Sequence, residues 1–408
     1  ASDVYKRQPN GFPPKYIPDP SSLDDIAYKL KQNDLGVLLE KISKEGADGM
    51  YKGEIAFAIE EDMKKNNGLI TMEDLSNFRA EVKNPLSVKY RDFEVFGPTA
   101  PCGSWTTLET LNILENFDTK SMGHNSPEYL HMFVEAARHA FADRYHYLGD
   151  PDFVDVPLSG LLSKEYAKDV SQQINKNYAE LENSYEGDPW NHYSDIEIHD
   201  PWKYESRNPN SELKNGEYDQ NSDCTTHFST ADKNGNLVSC TQTAVGHFGS
   251  KVVSKGLGIL WNNGMVWFNP KPGSKNSIAP LKRPLVNMAP ILARKNGKPY
   301  MSVGSPGGRK VNNANTNLSM NILEFGMGPQ EAITTSRSDS SGPTTLIDQR
   351  ISLETVKTLK EMGHKIEIIA DMELWYSFAR PSAIVVDHEN NLLLGGSDSF
   401  PVAEAKGY

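Results

Sequence analysis

Apolar positions recur at helical spacing from Leu23 to Ile42 and again from Gly53 to Met63, behind a proline-rich stretch at Phe12 to Pro20. Such spacing predicts amphipathic helices. Met72 to Phe78 reads as a short helix behind a Thr71 cap, with Glu73 and Asp74 in its first turn, where negative charge meets the positive end of the helix dipole. Pro85 to Phe96 alternates as strands, Trp105 to Phe117 reads as an amphipathic helix, and Pro127 to Leu148 is the longest helical signal. From about Asn183 to Asp223 the composition shifts to Asn, Asp, Glu, Ser, Gly and Pro. Trp190, Trp202 and scattered tyrosines are the only sizeable apolar groups there, which predicts an exposed linker rather than core.

After that linker the period changes. Thr225 to Ala231, the turn Lys233-Asn234-Gly235-Asn236 and Leu237 to Thr243 form a hairpin signature, Asn-Gly between β-branched and aromatic runs being the strongest short-range one. Further strands are expected at Lys251 to Val253, Gly258 to Trp261, Ile291 to Arg294 and Tyr300 to Val303. Helix returns at Asn312 to Phe325, at Gly328 to Ile333 and at Leu353 to Met362. A strand near Ile366 and a hairpin of Ala383 to Asp387 with Leu392 to Gly395 end the chain. Mixed helices and antiparallel hairpins indicate an α+β layered fold, with no internal repeat.

Composition narrows the partners. The net charge of −12 over 408 residues disfavours nucleic acid and anionic membrane surfaces, and no apolar run approaches the roughly 20 residues of a membrane helix. Cys102, Cys224 and Cys240 form neither a Cys-x-x-Cys pair nor a disulfide framework. Cys240 reads as a small core hydrophobe and Cys102, between Pro101 and Gly103, as a loop thiol. His131, His139 and His146 sit about two turns apart on the long helix. That spacing separates them by roughly 10–12 Å, too far to share one ion, so they read as structural or solvent-facing. No metal or organic cofactor is called for.

Chemistry concentrates where the linker becomes the hairpin, at Asp223-Cys224-Thr225-Thr226-His227-Phe228-Ser229. Were the bond before Thr225 cut, that residue would carry a hydroxyl and a free α-amine. The hydroxyl is too weakly acidic to attack an amide unaided, but an α-amine titrates near 8 and can take its proton. Thr-Thr in a strand is also what β-propensity predicts. Two features shift the balance toward chemistry. Thr243 closes the second strand, where it can hydrogen-bond Thr225. Gly304-Ser305-Pro306-Gly307-Gly308 follows a strand, and consecutive glycines let backbone N–H groups converge on an anion. The rival readings are a plain tight turn and a Cys224 nucleophile, the latter leaving the strand start one residue out of place. His227 and His247 read as structural histidines, and Arg309-Lys310 as a solvated helix start.

From about Leu38 onward these runs resemble the γ-glutamyltransferase family of N-terminal-nucleophile (Ntn) hydrolases. The landmarks are Gly46 to Gly53, Gly68 to Leu75, Ala140 to Arg144, Leu148 to Pro151, Thr225 to Ser229, Gly258 to Leu260 with Asn262-Asn263, Lys282 to Leu285, and Gly304 to Gly308. The resemblance implies a four-layer αββα sandwich and an autocatalytic cut between Cys224 and Thr225. Residues 1–224 and 225–408 would then be large and small subunits of one folded body, with 183–223 as the linker ahead of the cut. Thr225 would be the nucleophile, Thr243 its support, and Gly307 and Gly308 the oxyanion hole. The partners implied are a small amide or peptide substrate and the chain's own cleaved subunit.

The departures bear on specificity. The family's Asn, Gln and Asp that hold a γ-glutamyl ammonium align with Val245, Gly264 and Trp267, and its Ser-Ser pair for the carboxylate with Val286-Asn287. An ammonium taken from water needs a carboxylate or several acceptors, which Val245, Gly264 and Trp267 lack. The expectation is therefore retained catalysis with γ-glutamyl selectivity lost. A glutathione-type hydrolase and a silent binding scaffold stand as alternatives. The family's large subunit extends well upstream of Gly46, and Val4 to Gln8 reads as adapter-derived sequence, so the N-terminus is expected to be incomplete and the compartment stays open.

Overall fold

The computed structural model describes residues 31–180, 199–205, 224–246, 248–370, 378–398 and 403–407. It divides into two units, one of 1–82 with 244–264 and one of 83–243 with 265–408. In the first, α1 (Asn33–Glu45), α2 (Asp48–Tyr51), α3 (Gly53–Lys65) and α4 (Met72–Asn77) follow in short succession. Ala56, Ile59, Leu75 and Leu257 form its core, with Tyr51, Ile70 and Trp261 packed around them. The Thr71 cap is a full capping box. Asp74 N–H donates to Thr71 Oγ1 at 3.1 Å, and Thr71 N–H to the Asp74 carboxylate at 2.8 Å, satisfying two otherwise orphaned donors.

The strands expected at 251–253 and 258–261 shrink to a single antiparallel bridge, Val253 with Leu260. Lys251, Gly256 and Gly258 all have positive φ, which no extended ladder tolerates. The part of the first expected helix before residue 31 lies outside the described residues.

The second unit is built on a six-stranded antiparallel sheet. Its strands are β1 (Leu86–Tyr90), β2 (Phe93–Gly97), β5 (Ile291–Lys295), β6 (Lys298–Gly304), β10 (Ser382–Asp387) and β11 (Leu392–Ser397), in the order β1-β2-β5-β6-β10-β11. Register places Val95, Ala293, Met301 and Val385 in one row and Ile291, Val303 and Ala383 in another, all buried. Onto this sheet pack α5 (Ser104–Leu114) and α10 (Lys310–Leu323), and α7 (Pro127–Tyr147) packs on α5 within the same core. Between and after them run α6 (Thr119–Met122), α8 (Leu158–Leu161), α9 (Lys164–Gln173), α11 (Pro329–Thr334) and α12 (Leu353–Glu361). The alternate row, Leu292, Ser302 and Ile384, points away from that core.

Against this second face lies the hairpin of β3 (Cys224–Ala231) and β4 (Leu237–Val245). The joint is polar. Ser302 Oγ sits 2.8 Å from Ser229 Oγ and 3.1 Å from the Val238 carbonyl, and Ser239 Oγ donates to the Val303 carbonyl at 2.9 Å. A small three-stranded sheet, β7 (Ser338–Asp339), β8 (Thr345–Asp348) and β9 (Ile366–Ile369), completes the unit. The fold is thus α+β, as the mixed periodicities predicted.

Two expectations need correcting. The segment read as an amphipathic helix from 105 to 117 becomes α5, in which every residue is buried. Several of its polar side chains find partners instead of water, with Thr107 Oγ1 donating to the Asn312 carbonyl at 3.1 Å and Asn112 Nδ2 to the Leu162 carbonyl at 2.9 Å. The proposed linker is not exposed throughout. Residues 181–198 and 206–223 lie outside the described ones, but 199–205 is docked. His199 is buried, its carbonyl accepts from Tyr147 OH at 2.6 Å, and Glu205 accepts from Ser159 Oγ and Gly160 N–H, both at 2.7 Å.

Candidate active site

Thr225 is the second residue of β3, and Thr243 lies near the end of β4. Thr225 Oγ1 donates to Thr243 Oγ1 at 3.1 Å, so two hydroxyls meet at the open end of a hairpin whose other end is the Asp232–Asn236 turn. Next along the same strand face comes His227, with Nδ1 2.8 Å from Thr241 Oγ1 and Nε2 3.2 Å from Ser229 Oγ. Burial pulls its imidazole down to about 4, so it is neutral and wedged, not a poised base. His247 lies outside the described residues.

The hairpin's placement follows from two contacts. Ser229 meets Ser302, the His227 ring presses on Gly304, and each step back along β3 is a step forward along β6. Beyond Gly304, where β6 ends, the chain turns at Pro306-Gly307-Gly308. There φ is +146° at Gly307 and +58° at Gly308, backbone that side-chain-bearing residues rarely adopt. A Cβ on Gly307 would come within 2.6 Å of Ala379 Cβ. The turn is held from both sides, since Arg380 N–H donates to the Pro306 carbonyl at 3.0 Å and Ser305 Oγ to Asn315 Oδ1 at 2.9 Å. Helix α10 begins just beyond, with Arg309 at its cap position, half-buried and donating to Ser341 Oγ at 3.3 Å rather than simply solvated.

Within the first unit, Val245 is buried with φ +78°, and Gly264 opens a 3₁₀ turn, Gly264–Trp267. Within the second, the Trp267 carbonyl accepts from Asn276 Nδ2 at 2.7 Å. Val286 N–H donates to the Pro101 carbonyl at 3.0 Å, and Asn287 Oδ1 accepts from Arg144 Nη2 at 2.8 Å. The segment reaching Asn287 is anchored by Arg283, which grips Asp150 through Nε and Nη2 at 3.1 and 2.6 Å and through its own N–H at 2.8 Å. These contacts hold the Asp150 carboxyl below its usual range despite the opposing effect of burial.

Arg144 and Asn312 were not singled out by function from the sequence. Arg144 appeared only within a landmark run, and Asn312 only as a helix residue. Cys102 is half-buried, and burial pushes its thiol upward, which makes it a poor nucleophile. Cys240 is also half-buried.

The helix histidines are partnered separately. His131 Nδ1 lies 2.6 Å from His364 Nε2, and His139 Nδ1 lies 2.6 Å from His199 Nε2. His131, Glu135 and His364 do have ligand-capable atoms within 4.8 Å of one another. Arg138 already sits 3.5 Å from the Glu135 carboxylate, a cation where a metal would have to compete.

The sequence profile of the family described as gamma-glutamyltranspeptidase matches residues 16–408. The glutathione hydrolase proenzyme of Escherichia coli strain K12 is 36% identical over 355 residues, covering 83% of this chain and 56% of that protein. The acylase ACY 1 proenzyme of Pseudomonas sp. strain SE83 is 34% identical over 339 residues, covering 83% and 55%. Cephalosporin acylase from Bacillus halodurans superposes with a TM-score of 0.76 at 26% identity, over 93% of this chain and 63% of that one. The chain therefore spans a little over half the length of these two proenzymes.

Proposed function

The chain belongs to the gamma-glutamyltranspeptidase family, and from that premise we propose that it is a self-processing amidohydrolase or acyltransferase with Thr225 as nucleophile. Maturation would begin when Thr225 Oγ1 attacks the Cys224 carbonyl, moving the acyl bond from nitrogen to oxygen. Water then hydrolyses the ester, leaving a carboxylate on Cys224 and a free amine on Thr225. Residues 1–224 and 225–408 become the two subunits.

In turnover the Thr225 hydroxyl attacks a substrate amide while its own α-amine accepts the proton and returns it to the leaving amine. The resulting ester passes its acyl group to water or to an amine. Gly307 and Gly308 N–H groups would hold the oxyanion, where one donor is worth about 2.7–4 kcal/mol of barrier. Thr243 keeps the attacking hydroxyl oriented. The observation that carries this reading is the 3.1 Å Thr225–Thr243 hydrogen bond at the strand end.

Selectivity for γ-glutamyl groups is expected to be lost, because Val245, Gly264 and Trp267 offer no side-chain acceptor for an ammonium. The relatives named as acylases are in keeping with that. The second reading, a glutathione hydrolase, is favoured by the E. coli relative's 36% identity. A γ-glutamyl anilide cleaved as well as uncharged acyl anilides would establish it in place of the first.

The deciding experiment is the intact mass of the denatured protein beside Thr225→Ala. Two fragments meeting at Cys224/Thr225 in the wild type and one chain in the variant are expected. One uncut chain in both would remove the nucleophile assignment.

A further inference from the structure

Gly307 and Gly308 have positive φ and no side chains to lock their turn, so its shape is set by what surrounds it. Two holds come from one segment: Ala379 packs on Gly307, and the Arg380 N–H donates to the Pro306 carbonyl at 3.0 Å. A third is a side chain. Asn315, fully buried in α10, accepts from Ser305 Oγ at 2.9 Å through Oδ1 and donates to the Ala289 carbonyl at 2.6 Å through Nδ2. A carbonyl only accepts, which fixes Nδ2 on the Ala289 side and Oδ1 on the Ser305 side. The Ser305 hydroxyl therefore has to donate. Ser305 is fully buried as well, which keeps bulk water from substituting for either bond.

The bridge takes over where the β5–β6 ladder stops. Its register reaches Ile291 opposite Val303, and Ala289 and Ser305 lie just beyond that rung on either strand. Ala289 belongs to a run that is held residue by residue. Arg144 donates to two neutral oxygens, the Val286 carbonyl at 3.0 Å and Asn287 Oδ1 at 2.8 Å. Gly103 N–H donates to the Met288 carbonyl at 2.9 Å, and Ser104 Oγ to the Pro290 carbonyl at 3.3 Å. One amide therefore ties the glycine turn to this anchored run. Its own base is firm, because α10 is buried from Val311 to Leu323.

We propose that Asn315, acting through Ser305, is the positioning residue of the glycine turn. It sets where the Gly307 and Gly308 N–H groups point, and so how well they meet a developing oxyanion. The consequence for catalysis rests on the amidase reading above; the hold on the turn does not. Oxyanion donors act where the negative oxygen will form, and a displacement of about 1 Å can cost on the order of 100-fold in rate. Asn315 itself touches no reacting atom. Loss of the bridge falls on kcat rather than on KM, because the ground-state substrate gains little from those donors.

The first measurement is 15N relaxation of the glycine amides in the uncut Thr225→Ala chain, alone and with Ser305→Ala or Asn315→Leu added. Order parameters of Gly307 and Gly308 are expected to fall from about 0.85 to below about 0.6 in both. Unchanged values would overturn the bridge. Ser305→Ala removes a single hydroxyl and keeps the experiment readable should Asn315→Leu fail to fold. The second measurement is steady-state cleavage, by the matured protein, of the acyl anilide that the wild type cleaves best. Ser305→Ala and Asn315→Leu should each lower kcat by about 10- to 100-fold and leave KM within about twofold. The double variant should be no slower than the worse single one, and Ser305→Thr, which keeps the hydroxyl, should restore the rate. Additive losses, kcat and KM moving together, or no rescue by Ser305→Thr would overturn the positioning role. Wild-type protein that is neither cut nor active would instead be failure of the Thr225 assignment, and relaxation would still decide for or against the bridge.

Discussion

The His227 imidazole lies flat against Gly304, so close that a Cβ on that glycine would stand 2.2 Å from His227 Cε1. This contact seats the β3–β4 hairpin on β6. Gly304→Ala forces the ring and its strand outward. Overpacking of this kind costs about 1–3 kcal/mol, and the predicted outcome is a lower melting temperature together with slowed chain cutting. Melts and a time course of intact mass check both; unchanged cutting at lowered stability would separate the contact from the site.

The same histidine gives the chain an acid sensitivity. Burial holds His227 at about 4, and burial with the nearby Arg138 charge holds His364 at about 2, whereas an unfolded histidine titrates near 6.5. Below 6.5 the unfolded chain takes up protons that the folded chain refuses. Their contribution is intact above pH 6.5 and declines by up to about 1.4 kcal/mol per residue for each pH unit toward the folded values. Urea midpoints between pH 7.5 and 5 should fall less steeply for His227→Asn than for the wild type. Parallel curves would show that the ring is not kept neutral by the fold.

Thr243 can be tested without touching the nucleophile. Thr243→Val keeps the shape of the side chain and removes the oxygen that accepts from Thr225 at 3.1 Å. A hydrogen bond of this kind is worth about 0.5–1.5 kcal/mol, so cutting is predicted to slow by roughly three- to tenfold, with Thr243→Ser restoring it. Wild-type rates in the valine variant would leave Thr243 a packing residue.

The hairpin, the long α7 and the Thr71 cap were legible because each rests on residues near one another in sequence. The Thr225–Thr243 hydrogen bond and the positive φ of Gly307 and Gly308 also sit where strand ends and turn chemistry place them. What escaped depends on distant partners. Thr107 and Asn112 gave α5 a polar face that periodicity assigns to water, yet their acceptors are Asn312 and Leu162 carbonyls brought in by other elements. Arg144 shows an unmatched charge only once folding has buried it, and no local spacing encodes that. Composition marked 183–223 as linker, and nothing local to His199 signals that it will pair with His139 and Asp143.

That pairing makes residues 199–205 a clasp ahead of the proposed cut. His199 Nδ1 lies 2.8 Å from the Asp143 carboxylate while its other nitrogen meets His139, and Glu205 bonds the start of α8. The closest approach is at Gly160, where a Cβ would come 2.1 Å from the Pro201 carbonyl. Gly160→Ala must therefore push the 3₁₀ turn Pro201–Tyr204 off α8. It would break the Glu205 contacts, a loss of at least about 1 kcal/mol of local stability, while the sheet core is untouched. The expected result is faster cleavage by a limiting protease within 199–205, read by peptide mass, with little change in the global unfolding midpoint. Cleavage no faster than in the wild type would mean that the segment is not held by this contact.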